Sequence, residues 1–213
     1  MMINILLVDD HAVVRQGYAA LLSMMIPSSQ VAEAENAQQT MAALDGDRFD
    51  VVILDINLEH SSGLSLAPRI HARNSKNKII FFSMFDEAAV IHRAMQAGAA
   101  GYISKRSNPE IMIEAIKTVL KGKTYIEHDL AIKLAAYSYG EDKDISDLLT
   151  QREFDVFMGV AKGLSRSKIA TGLNISEKTV SNTVTHLKSK LQVSTNTELV
   201  HLAIERGLVK VAS

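Results

Sequence analysis

Cysteine is absent from the 213 residues. That excludes disulfides and every thiolate metal site, and it fits a reducing compartment. No apolar run is long enough to cross a bilayer. The segment Met1 to Asp10 lacks the basic region and small-residue cleavage site of a secretory signal. Histidine occurs at seven scattered positions, with no pair at zinc-ligand spacing, so solvated or half-buried roles are expected for each. The net charge is only −1, so the chain as a whole has no strong bias toward a polyanion or a basic partner.

What remains is the composition of a folded protein. The apolar fraction is 47%, too high for disorder, and the length suits one or two domains. The near-zero charge conceals two opposite halves. Residues 1–147 carry 14 Lys/Arg against 19 Asp/Glu, a balance of −5, and residues 148–213 carry 9 against 5, a balance of +4. Only the rear half is suited to meet a polyanion.

Up to residue 122 the pattern alternates strand-like and helix-like segments, as in a parallel sheet covered by helices. Strands are expected at Ile3–Val8, around Val31, at 51–54, 79–82 and 101–104. Helices are expected after Asp10, over Ala37–Leu44, Leu64–Ala72, 86–97 and 109–121. Gly98 and Gly122 stand where helices end, and Asn108-Pro109 suits a helix start. Five parallel strands and five helices in alternation predict a flavodoxin-like doubly wound α/β domain. Residues 123–147 break the rhythm: Asp129–Tyr137 predicts a helix, and the polar stretch Ser138–Asp144 reads as a linker. From 148 to 213 only helical patterns occur. Thr150-Gln151-Arg152-Glu153 forms a capping box, Gly163 stops that helix, and a short helix at Arg166–Leu173 meets a turn at Asn174-Ile175. Ser176 caps a third helix, and Thr195–Arg206 holds a fourth, ended by Gly207. Two short helices joined by a tight turn predict a helix-turn-helix.

The chemistry-bearing residues sit at the ends of the predicted strands. Asp9 and Asp10 close the first, Asp55 the third, Ser83 the fourth and Lys105 the fifth. Ligands of open parallel sheets gather at the carboxyl ends of the strands. Three carboxylates, a hydroxyl and an ammonium are therefore expected in one crevice, suited to holding a cation and a phosphoryl group.

This set, with Gly63 eight residues after Asp55, resembles the receiver domain of two-component response regulators over about residues 1–122. The resemblance implies that Asp55 takes a phosphoryl group from a phosphohistidine on a sensor histidine kinase. Asp9, Asp10, Asp55 and the Asn57 backbone carbonyl would hold Mg²⁺, which offsets the repulsion between two anions. Lys105 and Ser83 would bind the phosphoryl oxygens, and Tyr102 would turn inward together with Ser83 as the switch. Two departures stand out. Receivers usually carry Pro four residues after the acceptor, where this chain has Glu59, and Pro after the lysine, where it has Arg106.

Residues 148–213 resemble the LuxR-type helix-turn-helix of the NarL/FixJ subfamily. The carriers are Leu149-Thr150-Gln151-Arg152-Glu153, Gly163-Leu164-Ser165, Ile169-Ala170, Ile175-Ser176-Glu177-Lys178-Thr179-Val180 and Lys190-Leu191. In the third helix Val180, Val184, Leu187 and Leu191 form one apolar stripe. Ser181, Asn182 and Thr185 are expected at base edges, and Lys178, Thr179, Lys188 and Lys190 at phosphates, joined by Arg166 and Lys168. Lys168 stands where relatives usually have Glu, and Thr183 where they often have His. Leu199, Val200, Leu202, Ala203 and Ile204 in the fourth helix exceed one stripe, so they serve either the core or a dimer seam.

Together the two resemblances imply a cytoplasmic transcription regulator, controlled by phosphorylation at Asp55, without enzyme turnover. Its expected partners are a sensor kinase, promoter DNA, RNA polymerase and a second copy of itself, with no membrane. An aspartyl phosphatase is disfavoured because Asn57 stands where such enzymes use a second Asp. A helix-turn-helix that binds protein instead of DNA is the remaining alternative.

Overall fold

The structure is a computed structural model that describes residues 2–58, 61–138, 148–206 and 208–209. The chain divides into two units, Met1–Ala136 and Tyr137–Ser213. Glu59, most of the polar stretch 138–144 and Gly207 lie outside the described residues.

The first unit contains β1 (Ile3–Val8), α1 (Ala12–Met25), β2 (Ser29–Ala34), α2 (Ala37–Gly46) and β3 (Val51–Leu54). A short antiparallel pair follows, β4 (Asn57–Leu58) and β5 (Ser61–Ser62). Then come α3 (Gly63–Arg73), β6 (Lys78–Ser83), α4 (Ala88–Gln96), β7 (Gly101–Ser104), α5 (Pro109–Leu120), β8 (Tyr125–Ile126) and α6 (His128–Ser138). The main sheet is parallel, in the order β2-β1-β3-β6-β7-β8. All four residues of β3 and of β7 are buried, as are the last four of β1 and the last five of β6. Continuous apolar runs are what a parallel sheet covered on both faces requires. One face packs Ile5, Leu7, Ile53, Ile80 and Phe82 against Leu22 of α1 and Ile116 and Val119 of α5.

The five predicted strands are present, and the structure adds a sixth. Tyr125 and Ile126 pair in parallel with Gly101 and Tyr102. Two residues are too few for a periodic signal; the pairing comes from the exposed edge of β7, which recruits the chain after α5. This unit runs past residue 122 to Ala136, and α6 falls on the helix expected at Asp129–Tyr137. The β4–β5 hairpin is likewise too short to be read from sequence. Gly98 and Gly122 have positive φ, 93° and 75°, in keeping with their places just after α4 and α5.

The second unit is helical: α7 (Gln151–Ala161), α8 (Arg166–Gly172), α9 (Glu177–Lys190) and α10 (Asn196–Glu205). The capping box at α7 is complete, and Ser165, Ser176 and Thr195 each accept a backbone N–H at the start of the next three helices. Asn174 makes the tight turn between α8 and α9 with φ 51°, a conformation asparagine tolerates better than most residues. Phe154, Phe157, Ile169, Val180, Leu187, Leu199 and Ala203 fill the core. Leu199 and Ala203 thus belong to the interior, whereas Val200, Leu202 and Ile204 are half-buried.

Candidate functional site: an acidic pocket and a recognition helix

Parallel pairing sets the first site. Val8 lies beside Leu54, and Ser83 beside Ser104, so the residues that follow β1, β3 and β7 emerge at one edge. The Asp55 N–H continues the ladder by donating to Val8 O at 2.9 Å, and the Lys105 N–H donates to Ser83 O at 2.8 Å. Asp9, Asp55 and Ser83 are buried. The Lys105 ammonium donates to Asp55 Oδ2 at 2.6 Å and forms an ion pair with Asp9 Oδ2, also at 2.6 Å. Side-chain ligand atoms of Asp9, Asp10, His11 and Asp55 all lie within 4.8 Å of one another.

Three carboxylates meet one ammonium, and the His11 ring nitrogen lies 2.7 Å from Asp10 Oδ1. Hard oxygen donors and net negative charge are the conditions that favour a hard divalent cation. Burial pushes the Asp55 carboxyl up to about 6, although Lys105 pulls the other way. Burial also works against the charged form of Lys105, but Asp55 and Asp9 outweigh it and hold that ammonium above its ordinary range. Gly63 closes the turn beneath the site: a Cβ there would run into the Asp55 backbone carbonyl. Asn57 begins β4, two residues beyond Asp55, and its N–H donates to Asp55 Oδ1 at 3.2 Å.

Tyr102 is fully buried. Its hydroxyl donates to Phe85 O at 2.9 Å, and burial raises its pKa. The Phe85 N–H donates to Ser83 Oγ at 3.3 Å. Serine, Phe85 and tyrosine thus form one short chain of contacts. Two contributors to the pocket carried no sequence signal. Arg15 of α1 donates to Asp9 O at 2.6 Å and to Glu33. Phe82 lies under the Lys105 ammonium, 5.7 Å from ring centroid to Nζ, with Tyr18 edge-on at 4.7 Å.

The second site lies on α9. Val180, Val184 and Leu187 face the core, and Leu191 is half-buried just beyond the helix. Lys178, Asn182, Thr185 and Ser189 are exposed on the opposite side, with Ser181, Thr179 and Lys188 half-exposed. Arg166 and Lys168 are exposed on α8. Lys190 differs from the other predicted phosphate contacts because its ammonium donates to Glu153 Oε2 at 2.8 Å. His186 Nδ1 meets the other oxygen of Glu153 at 2.8 Å. One carboxylate therefore caps α7 and holds α9 as well. Burial opposes its charge, but these partners and Thr150 draw the pKa down to about 2.

A doubly wound domain with a carboxylate and cation pocket, joined in one chain to a helix-turn-helix unit, defines a two-part regulator: an input module and a DNA-binding output module. Residues 5–117 match the response regulator receiver domain family, and residues 147–203 match the bacterial regulatory proteins of the luxR family. The chain belongs to the response regulators with a LuxR-type DNA-binding domain, a family of transcription regulators and not of enzymes in the usual sense.

Among its relatives is the transcriptional activator protein ExaE of Pseudomonas putida, 42% identical over 99% of this chain and 100% of that one. The transcriptional regulatory protein UhpA of Salmonella typhimurium is 37% identical over 94% and 97%. The response regulator UvrY of Escherichia coli K12 is 34% identical over 97% and 96%. A solved LuxR-family two-component response regulator from an Aurantimonas species aligns with TM-score 0.62 and 30% identity, covering 66% of this chain and 100% of that one. RcsB from Salmonella enterica serovar Typhimurium, solved bound to a promoter with phosphomimetic BeF3−, aligns with TM-score 0.70 over 95% and 98%. At 23% identity that likeness speaks for the fold alone. Among the described residues no helix is long and apolar enough to cross a membrane.

Proposed function

We propose that Asp55 is the phosphoacceptor and that its phosphorylation controls promoter binding by the C-terminal helix-turn-helix. The observation that supports this most is the meeting of Lys105, Asp55 and Asp9 within 2.6 Å contacts in a buried pocket. A carboxylate oxygen of Asp55 forms a bond to phosphorus as the P–N bond of a sensor kinase's phosphohistidine breaks, and the leaving imidazole takes up a proton. Lys105 exchanges its carboxylate partners for phosphoryl oxygens, and Ser83 donates its hydroxyl to one of them. Asp9, Asp10, Asp55 and the Asn57 carbonyl would hold Mg²⁺. The ion supplies charge neutralisation between the two anions.

The switch is Ser83 with Tyr102, whose ring already lies inward and buried before any turn. Movement of Ser83 toward the phosphoryl group breaks the Phe85 contact and shifts the start of α4. In the output module Ser181, Asn182 and Thr185 read base edges. Lys178, Thr179, Lys188, Arg166 and Lys168 bind phosphates, and Lys190 contributes there while tied to Glu153. The working form on DNA is a homodimer in the cytoplasm, acting with RNA polymerase. Incubation with Mg²⁺ and acetyl phosphate, followed by intact mass and promoter gel shift, tests the reading. Wild type gains one phosphoryl mass and binds promoter more tightly, and Asp55→Asn does neither. Equal mass gain by Asp55→Asn rejects the assignment.

A further inference from the structure

The loop that carries Lys105 is also held by a residue outside the pocket. Glu127 follows β8, and its own N–H donates to Tyr102 O at 3.2 Å. Its side chain turns back onto the loop after β7. Glu127 Oε2 accepts the Ser104 N–H at 3.0 Å, and Oε1 accepts the Ser107 hydroxyl at 2.5 Å. Ser104 and Ser107 flank Lys105 and Arg106. Inside the bracket the Arg106 N–H donates to Ser104 Oγ and the Ser107 N–H to Ser104 O, both at 3.2 Å. One carboxylate thus grips both ends of the four-residue turn from which the Lys105 side chain reaches Asp55.

Such a grip has physical work to perform. Arg106 lacks the ring that would fix φ in this turn. The Lys105 side chain is long and carries several rotatable bonds, so its reach depends on where its backbone is held. Phe82 supports the ammonium from below, but Arg106 on the far side of Lys105 is exposed. The segment that supplies Glu127 is itself secured downstream: Lys133 of α6 donates to Asp86 Oδ2 at 3.0 Å and to Asp86 O at 3.3 Å.

We propose that Glu127 is a positioning residue for phosphoryl transfer, holding the Lys105 turn so that the ammonium meets the incoming phosphoryl group. The inference rests on the reading of Asp55 as acceptor. Glu127 touches neither Asp55 nor the phosphoryl group. It acts through Ser104, Ser107 and the backbone of Lys105. It also ties that turn to β8 and α6, so a change at the turn is felt by the segment that leads out of the sheet.

The test uses the full chain with Mg²⁺ and acetyl phosphate, following the initial rate of mass gain. Glu127→Ala, which removes both hydrogen bonds, slows it about tenfold, part of the loss that misplacing a reacting group by about an ångström can cause. Ser107→Ala, which removes one of them, slows it roughly threefold. The discriminating measurement is a double-mutant cycle with Lys105→Ala. Glu127→Ala has no further effect in that background, because the group it positions is gone. Calorimetric affinity for Mg²⁺ alone stays within about twofold of wild type, since Glu127 is not among the ligands. A wild-type rate for Glu127→Ala, or an undiminished slowing in the Lys105→Ala background, overturns the proposal. If Glu127→Ala fails to fold, wild-type rates for both Ser107→Ala and Glu127→Gln overturn it. If wild type gains no mass, or Asp55→Asn gains as much, the acceptor reading fails and this proposal falls with it.

Discussion

Two carboxylates in this protein are each buried beside a lysine, and their charge states part company. Burial lifts Asp55 to about 6. Burial opposes Glu153 too, yet its pKa falls to about 2. Asp55 is the more deeply buried of the two, and donor supply widens the gap. Glu153 receives the Lys190 ammonium, the Thr150 N–H and hydroxyl, and the His186 ring nitrogen. Asp55 receives Lys105 and the Asn57 N–H, and Asp9 beside it adds like charge. A carboxylate with its lone pairs filled fixes structure. One that shares its lysine with a second carboxylate retains capacity for a cation and an electrophile.

The sharpest way to break this comparison is to remove each lysine in turn. Lys105→Met should slow phosphorylation by acetyl phosphate about a hundredfold, the scale of losing one charged donor from a transferring group. The same variant leaves Asp9, Asp10 and Asp55 without their ammonium. Mg²⁺ should therefore raise its melting temperature more than it raises that of wild type. Equal Mg²⁺ stabilisation of the two proteins would show that the ammonium does not offset the carboxylates.

Glu153 should respond in stability instead of chemistry. Glu153→Ala removes a cap and leaves the Thr150 donors without their partner, while the exposed His186 and Lys190 return to water, at a cost of about 2 kcal/mol. Hydrogen exchange of the α7 and α9 amides reads this without confusion from the other unit. The pH dependence has a fixed sign. Because folding lowers the Glu153 pKa from 4.5 to about 2, its contribution is present above about 4.5 and drains away as pH falls toward about 2. Protection of α7 and α9 should weaken over that window in wild type. The weakening should be much reduced in Glu153→Gln, which titrates no carboxyl there.

How far the sequence foretold these two regions depended on whether a residue's role is local. Asp9, Asp55, Ser83 and Lys105 each end a run of buried residues, and strand-end position alone sends them to one edge. Thr150 and Glu153 announce a helix start through their spacing. Arg15, Phe82 and Glu127 are different. Their importance arises from partners 6 to 23 positions away, at Asp9, Lys105 and Ser104, and no periodicity encodes such a meeting. β8 shows the same limit, since its two residues become a strand only because β7 presents a free edge. On α9 the apolar stripe correctly separated the buried side from the exposed one. It could not show that Lys190 would be claimed by Glu153, because the partner lies 37 positions earlier in another helix.

That last contact allows the finest test of the comparison. A lysine whose ammonium rests freely against a phosphate releases about one counterion, so removing it lowers the salt slope of DNA binding by about one. Lys178 is exposed near the start of α9, and Lys178→Gln should show the full change. Lys190 enters the complex already neutralised in part by Glu153. Lys190→Gln should therefore lower the slope by well under one, while weakening binding through the lost tie between α9 and α7. Titrating promoter DNA over a range of KCl concentrations separates the two quantities, slope and intercept. A Lys190 slope change as large as that of Lys178 would mean that DNA pulls the ammonium away from Glu153. The carboxylate would then be a clamp that opens on binding, more like Asp55 than the free protein suggests.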